Sequence, residues 1–363
     1  MTPLHAPRTT VRTTFRRALL APRIAALVAL LAVAATAAAQ TAPADAMAAA
    51  DARPAVVDAE RALADARADL RRTDADPLAL RLDRLQATQA VALAEAELRV
   101  ARFGAYQEIG AAYMDALEAT AQRALAAQAA DLAERSAEIA AIRAERGAAT
   151  DLDVRDAEND LAGARSDLAA ARDGETLART NLASLLGVAA DDLGTLAELP
   201  DAWVATPTPD PDALVARLEE TPTVLRAAQG LEVARTARDL LDPAYAAAQD
   251  LEDADSRIAG AETGLAEARR ALAIAVRSLV DRVASARERL DVARDALANA
   301  RDRDAVDRSR LDAGLISDVA YERTRLATTQ ADLAALQAEH AVVRAALTLQ
   351  ADTGLALEGL DAF

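Results

Sequence analysis

The side chains that carry most protein chemistry are nearly missing from this 363-residue sequence. It has no cysteine and only two histidines, His5 and His340. Without a thiol there is no disulfide, thiolate metal site, cysteine nucleophile or lipid-modified N-terminal cysteine. A metal site needs three or four ligands, and His340 has no histidine or cysteine companion. The 58 Asp and Glu residues could supply a carboxylate pair for acid–base work. They fall, however, on the outward positions of a helical pattern, where carboxylates are ordinarily solvated. No G-x-S-x-G, H-E-x-x-H, P-loop or dinucleotide glycine fingerprint occurs. The expectation is a protein that is not an enzyme and that holds no cofactor and no metal. The candidate functional residues are small and polar side chains grouped at two points: Gly147, Thr150, Asp153 and Val154, then Gly314, Leu315, Ser317 and Asp318.

The elements that must position those two groups follow from composition. Hydrophobic residues make up 52% of the chain but aromatics only 2%, and alanine dominates the apolar fraction. Alanine is the best helix former and a poor core filler, so a bulky sandwich or a Rossmann sheet is excluded. The fold class expected is all-α, with little or no β-sheet.

The N-terminus reads as a targeting segment. Arg8, Arg12, Arg16, Arg17 and Arg23 precede an apolar stretch from Ile24 to Ala35, followed by Ala37-Ala38-Ala39. A charged region, a short apolar region and an A-x-A site make residues 1–39 an expected signal peptide. The apolar stretch, about 12 residues, is too short to cross ~30 Å of hydrocarbon as a helix. Beyond residue 39 there are 36 basic and 58 acidic residues, a net charge of −22, and lysine is absent throughout. An acidic exported chain of this kind disfavours nucleic acid and anionic lipid as partners.

Proline and glycine mark the organisation. Pro54, Pro77, Gly147 and Gly187 are spaced by 23, 70 and 40 residues, while Pro222, Pro243, Gly314 and Gly354 are spaced by 21, 71 and 40. The two sets are offset by 166 to 168 residues, an internal duplication across nearly the whole chain. The expected organisation is a first helical-hairpin repeat over 40–187, a proline-rich linker over 188–221 and a second repeat over 222–363. Each repeat reads as a short helix, a long helix of about 69 residues and ~100 Å, and a return helix of about 39 residues. Gly147 or Gly314 stops the long helix, and Thr150 or Ser317-Asp318 starts the next. The short and return helices together nearly match the long one in length. Placed end to end beside it, they make each repeat an antiparallel coiled-coil hairpin.

The packing stripe of the first return helix is legible as Val154, Ala157, Leu161, Ala164, Leu168 and Ala171, resumed at Ala178, Leu182 and Leu185. Its 3-4 spacing, alternating small residues with Leu, suits close antiparallel helices. In the second repeat Leu326, Leu333, His340 and Leu347 recur every seven residues; His340 reads there as an edge position of the seam. The linker holds Pro200, Pro207, Pro209, Pro211 and the sole tryptophan, Trp203, expected to anchor it onto the helices.

These marks resemble the outer-membrane efflux proteins, the TolC-like family, over residues ~47–356. The resemblance is carried by Gly147-Ala-Ala-Thr150-Asp-Leu-Asp153-Val154-Arg-Asp-Ala157, by Ala111-Ala-Tyr113-Met-Asp-Ala-Leu117 and by Leu182-Ala-Ser-Leu-Leu-Gly187. Ala313-Gly314-Leu315-Ile316-Ser317 is similar to the family's second tip. The resemblance implies that three protomers of four helical strands each close into a periplasmic tunnel that exports small molecules or proteins. It also implies that the tips bind a periplasmic adaptor (a membrane fusion protein) linked to an inner-membrane pump.

Two departures qualify it. Family members carry membrane β-strands after prolines such as Pro77 and Pro243. Here the helical pattern resumes in Leu78-Ala-Leu-Arg-Leu and Ala244-Tyr-Ala-Ala-Ala, and Gln249–Ser256 reads as an acidic turn. No alternating segment of 9–11 residues with aromatic girdles is present, so insertion by the chain's own residues is not expected and Phe363 is not read as a barrel signal. Secondly, acidic rings can line the family's entrance at the sixth and ninth positions after the second tip glycine, which here are Ala320 and Arg323. The alternative to a duct is a non-conducting structural coiled-coil protein of the envelope, derived from the same family.

Overall fold

The computed structural model describes residues 40–357; the expected signal peptide, His5 and Phe363 lie outside the described residues. Six helices carry the architecture: α1 (Pro54–Ala75), α2 (Arg81–Glu145), α3 (Asp151–Leu186), α4 (Pro222–Asp239), α5 (Ala248–Asp312) and α6 (Asp318–Thr353). Both long helices have 65 residues and both return helices have 36, so α2 and α5 each run about 100 Å. Pro54 and Pro222 occupy the first helical turn, where the missing N–H costs nothing. The all-α reading holds: the only strands among the described residues are β1 (Gln40–Thr41) and β2 (Thr195–Leu196), a two-residue parallel pair.

Ion pairs give the register of the helices. Arg53–Glu108 at 2.8 Å and Arg67–Glu95 at 2.7 Å run α1 antiparallel along the first half of α2. Arg123–Glu175 at 3.1 Å and Arg165–Glu134 at 2.6 Å run α3 antiparallel along the second half. The second repeat does the same on α5, with Arg238–Asp255 (2.7 Å) from α4 and Arg294–Glu339 (2.9 Å) and Arg301–Asp332 (3.0 Å) from α6. The repeats then join through α2, which packs antiparallel against α6 and α4. Arg344–Asp115 (2.6 Å), Gln107–Thr348 (3.0 Å) and Arg135–Glu322 (3.8 Å) line the α2–α6 seam, and Arg226–Glu97 (2.7 Å) the α2–α4 seam. The result is one layer four strands wide, in the order α3/α1, α2, α6/α4, α5.

Two local readings are corrected. The long helices begin four residues after Pro77 and five after Pro243, not directly after them, because an aspartate holds each turn. Asp76 accepts from the Leu78 amide at 2.9 Å and Asp83 from the Leu80 amide at 3.0 Å; Asp242 accepts from the Ala244 amide at 2.8 Å. Such side-chain bonds compete with the helix for backbone donors. Conversely, Gln249–Ser256 is not a turn but the start of α5. Asp250 lies in its first turn, where the helix dipole favours an anion, and Asp255 is held by Arg238.

The core is concentrated around the middle of the layer. Ile109, Ala112, Tyr113 and Ala116 of α2, Val343, Ala346 and Leu347 of α6, and Val276, Val280 and Val283 of α5 belong to one buried cluster. At Gly110 a Cβ would come within 2.9 Å of both Leu347 Cδ1 and Met47 Cε, so the absent side chain is what permits this approach. Trp203 is buried with Leu193, Leu214 and Leu218, and anchors the 188–221 segment as expected. That segment carries two 3-10 turns and the short helices Asp201–Val204 and Pro211–Val215. Towards the tips the core thins, and no residue of α2 beyond Ala130 or of α5 beyond Leu297 is buried.

The sequence did not reveal the role of residues 40–53. Pro43, Ala46, Met47 and Ala50 are buried against α2, and the Tyr113 hydroxyl lies 2.8 Å from the Thr41 carbonyl and 2.7 Å from that of Ala197. Burial pushes this phenol up to about 12, keeping it a donor. The tyrosine of the Ala-Ala-Tyr-Met motif thus ties the strand pair to the middle of α2.

Candidate functional site

The two groups of sequence-selected residues fall at the two reversals of the chain. Gly147 and Gly314 adopt φ of +69° and +71°, a left-handed backbone that glycine enters without a Cβ penalty. Both ends use the same pair of bonds. The Gly147 and Ala148 amides donate to Ala144 (2.9 Å) and Arg143 (2.7 Å), and the Gly314 and Leu315 amides donate to Leu311 and Arg310 (2.8 Å each). These satisfy carbonyls that a helix end leaves open.

The restarts differ. Thr150 Oγ1 accepts from the Asp153 amide at 3.2 Å, and Asp153 Oδ2 accepts from the Thr150 amide at 2.7 Å and its hydroxyl at 2.8 Å. This reciprocal box holds the Asp153 carboxyl below the usual aspartate range, chiefly through the Thr150 backbone bond. At the second tip Ser317 Oγ accepts from the Ala320 amide at 3.3 Å, but Ala320 has no carboxylate to return. Asp318 opens α6 in its first turn, and Val154 is half-buried in the α2–α3 seam. Leu315 stands 74% exposed, and so does Leu152 at 64%. Leu152 is a tip leucine that the sequence reading passed over, although it lies inside the quoted motif.

Arg135 of α2 reaches Glu322 one turn into α6, so both tips lie at the same end of the layer. Within each tip the selected residues touch. Among the described residues no hydrogen bond or ion pair joins the two groups. Together they form one end of the layer, with exposed leucines and acids.

The seam between repeats holds a buried histidine. His340 is 2% exposed, not at an edge, because α6 is flanked on both sides. Its Nδ1 lies 2.8 Å from Glu118 Oε1, which also accepts from Arg344 at 2.9 Å, and Arg344 reaches Asp115 at 2.6 Å. The sequence signal was an acid pair three apart on one helix facing a basic pair four apart on another. Among the described residues no group of three or more His, Asp or Glu could hold a metal ion. No helix among them is long and apolar enough to cross a membrane.

Comparison with known proteins gives this architecture its class. Residues 77–188, spanning α2 and α3, match the model of the outer membrane efflux protein family. The family is one of channels, not enzymes. No curated protein matches the sequence. Among solved structures, a membrane protein from Pseudomonas aeruginosa is similar at 17% identity and a TM-score of 0.60, covering 88% of this chain and 92% of that one. The outer-membrane channel OprN is similar at 17% identity and 0.59, covering 86% and 89%. CusC, described for transmembrane channel formation, is similar at 17% and 0.56, covering 85% and 94%. At these identities the likeness is one of fold: a TolC-like helical protomer.

Proposed function

We propose that this chain is the protomer of a TolC-like efflux duct in the cell envelope, closing with two further copies into an α-helical tunnel. In this reading residues 1–39 direct export, and two hairpin repeats, 40–187 and 222–363, are joined by the 188–221 linker. The supporting observation is that the layer has two unfinished edges that are repeats of a finished seam. The 167-residue offset carries α6 onto α3 and α2 onto α5. Applied to the α2–α6 seam, it turns the Glu322–Arg135 pair into Arg155 of one copy facing Asp302 of the next, opposite charges again. Leu177 and Ile274, 72% and 69% exposed on the two edges, fall within about one helical turn of each other in that register. Two different edges that meet heterologously close into a ring when the rotation between copies closes.

The tips Gly147, Thr150, Asp153 and Val154, with Gly314, Leu315, Ser317 and Asp318, then crown one mouth of the tunnel. There they offer exposed Leu152 and Leu315 to a periplasmic adaptor and, through it, to an inner-membrane pump that drives small molecules or proteins outward. A net acidic wall favours cationic over anionic cargo.

The cysteine-free chain makes the ring directly testable. Arg155→Cys with Asp302→Cys, treated with a short bis-maleimide, is expected to give dimers and trimers, and either single variant only monomers. Monomers alone from the double variant would rule out the register. Leu315→Asp in the same format is expected to abolish cross-linking to an adaptor without unfolding. The second reading, a non-conducting spacer of the envelope, is favoured by the lack of any membrane-length strand among the described residues. Conductance across a planar bilayer separates the two.

A further inference from the structure

The end of the layer opposite the tips carries an unexplained surface. The α1–α2 turn exposes Leu78 (84%) and Leu80 (66%), and the α4–α5 turn exposes Leu240 (54%) and Tyr245 (90%). The turns are neighbours, because Gln89 near the start of α2 bonds Glu232 near the end of α4 at 2.8 Å, and Gln229 bonds the Gln89 carbonyl at 2.9 Å. In a chain that is 27% charged, Pro77–Leu80 and Pro243–Gln249 contain no charged residue at all. Around them stands a belt of both signs, with Asp76, Arg81 and Asp83 on one side and Arg238, Asp242 and Asp250 on the other.

We propose that these two turns rest in the headgroup–acyl boundary of a zwitterionic phospholipid layer, so that the helical rod stands on a membrane without spanning it. Convex turns bearing leucine and tyrosine suit a deformable interface, where tyrosine's apolar body and polar tip are both satisfied. A protein partner's anchors would instead sit in a desolvated pocket, whereas these side chains stand out from exposed turns. The mixed belt matches headgroups carrying both charges. The formal net charge of −17 argues against an anionic layer. This contact is independent of whether the rod closes into a conducting ring.

The test uses single cysteines in the full chain, labelled with an environment-sensitive fluorophore: Ala79→Cys and Ala244→Cys at the two turns, and Ala148→Cys at the opposite tip. Phosphatidylcholine vesicles are expected to shift emission to the blue at the first two sites and leave the third unchanged. Adding Leu78→Ser and Tyr245→Ser should weaken the vesicle-dependent shift at Ala244→Cys at least about tenfold in lipid concentration, the scale of losing one buried apolar side chain. No shift at either turn, an equal shift at all three sites, or a shift untouched by the serine pair would each overturn the proposal. So would a shift that appears only with protein-containing membrane fragments.

Discussion

α3 and α6 are sister helices, equal in length, begun by a hydroxyl cap and ended by a left-handed glycine, yet they live in different surroundings. Only Leu182 and Ala183 of α3 are buried, against twelve residues of α6. The difference is written position by position. Where α6 has Leu333, His340, Val343, Ala346 and Leu347, α3 has Ser166, Asp173, Thr176, Arg179 and Thr180. α6 fills the gap between α2 and α5 and needs two apolar faces; α3 packs along α2 alone and keeps one. Duplication therefore conserved backbone and caps while the second face diverged according to whether the chain itself supplies a neighbour there.

The largest effect should come from exchanging those faces. Leu347 is 1% exposed, so Leu347→Asp buries an unpaired carboxylate and removes a core side chain, at a cost of about 3–5 kcal/mol. The sister change, Thr180→Asp, falls on the exposed face of α3 and should stay within about 0.5 kcal/mol. Denaturant unfolding of the two variants measures the contrast. Similar losses would mean that α3 is enclosed within a single chain and that the layer has no free edge on that side.

The closing glycines offer an intermediate test. Gly187 and Gly354 have φ of +71° and +70°, but only at Gly354 would a Cβ be crowded, 2.7 Å from Val100 Cγ2. Gly187→Ala should cost about 1–2 kcal/mol for the left-handed backbone. Gly354→Ala should cost a further ~1–3 kcal/mol for overpacking at the α2–α4 junction. Thermal unfolding with equal losses would show that Val100 simply moves aside.

The elements that sequence made legible are those governed by chain-local physics. Helix stops at Gly147 and Gly314, starts at Thr150 and Ser317, and the α3 stripe all follow from capping and periodicity. The stripe's one gap is filled by Glu175, which is held by Thr120 and Arg123, so a polar residue took a seam position that apolar counting skipped. What stayed hidden depends on contacts far apart in the chain. Thr41 and Ala197 lie 72 and 84 residues from the Tyr113 that binds them, and His340 lies 222 residues from Glu118. No periodicity within one helix records such partners, and so His340 read as an edge residue.

The smallest predicted effect concerns the tips, where the sister helices begin with unequal caps. Asp153 completes a reciprocal box with Thr150; Ala320 leaves Ser317 with half of one. Ala320→Asp should supply the missing carboxylate, close to the positive end of α6, and slow hydrogen exchange over 317–321 by roughly two- to fivefold. Acid should erase the natural difference. The Asp153 carboxyl is held below its ordinary value of 3.8, so its contribution is complete above that value and is lost as pH falls through the depressed one. The Thr150 amide, 2.7 Å from Asp153 Oδ2, should therefore shift in a pH titration of threonine-labelled protein, with a midpoint below 3.8. A midpoint at or above the ordinary value would mean that the box is open in solution. The two tips would then have equally loose helix starts.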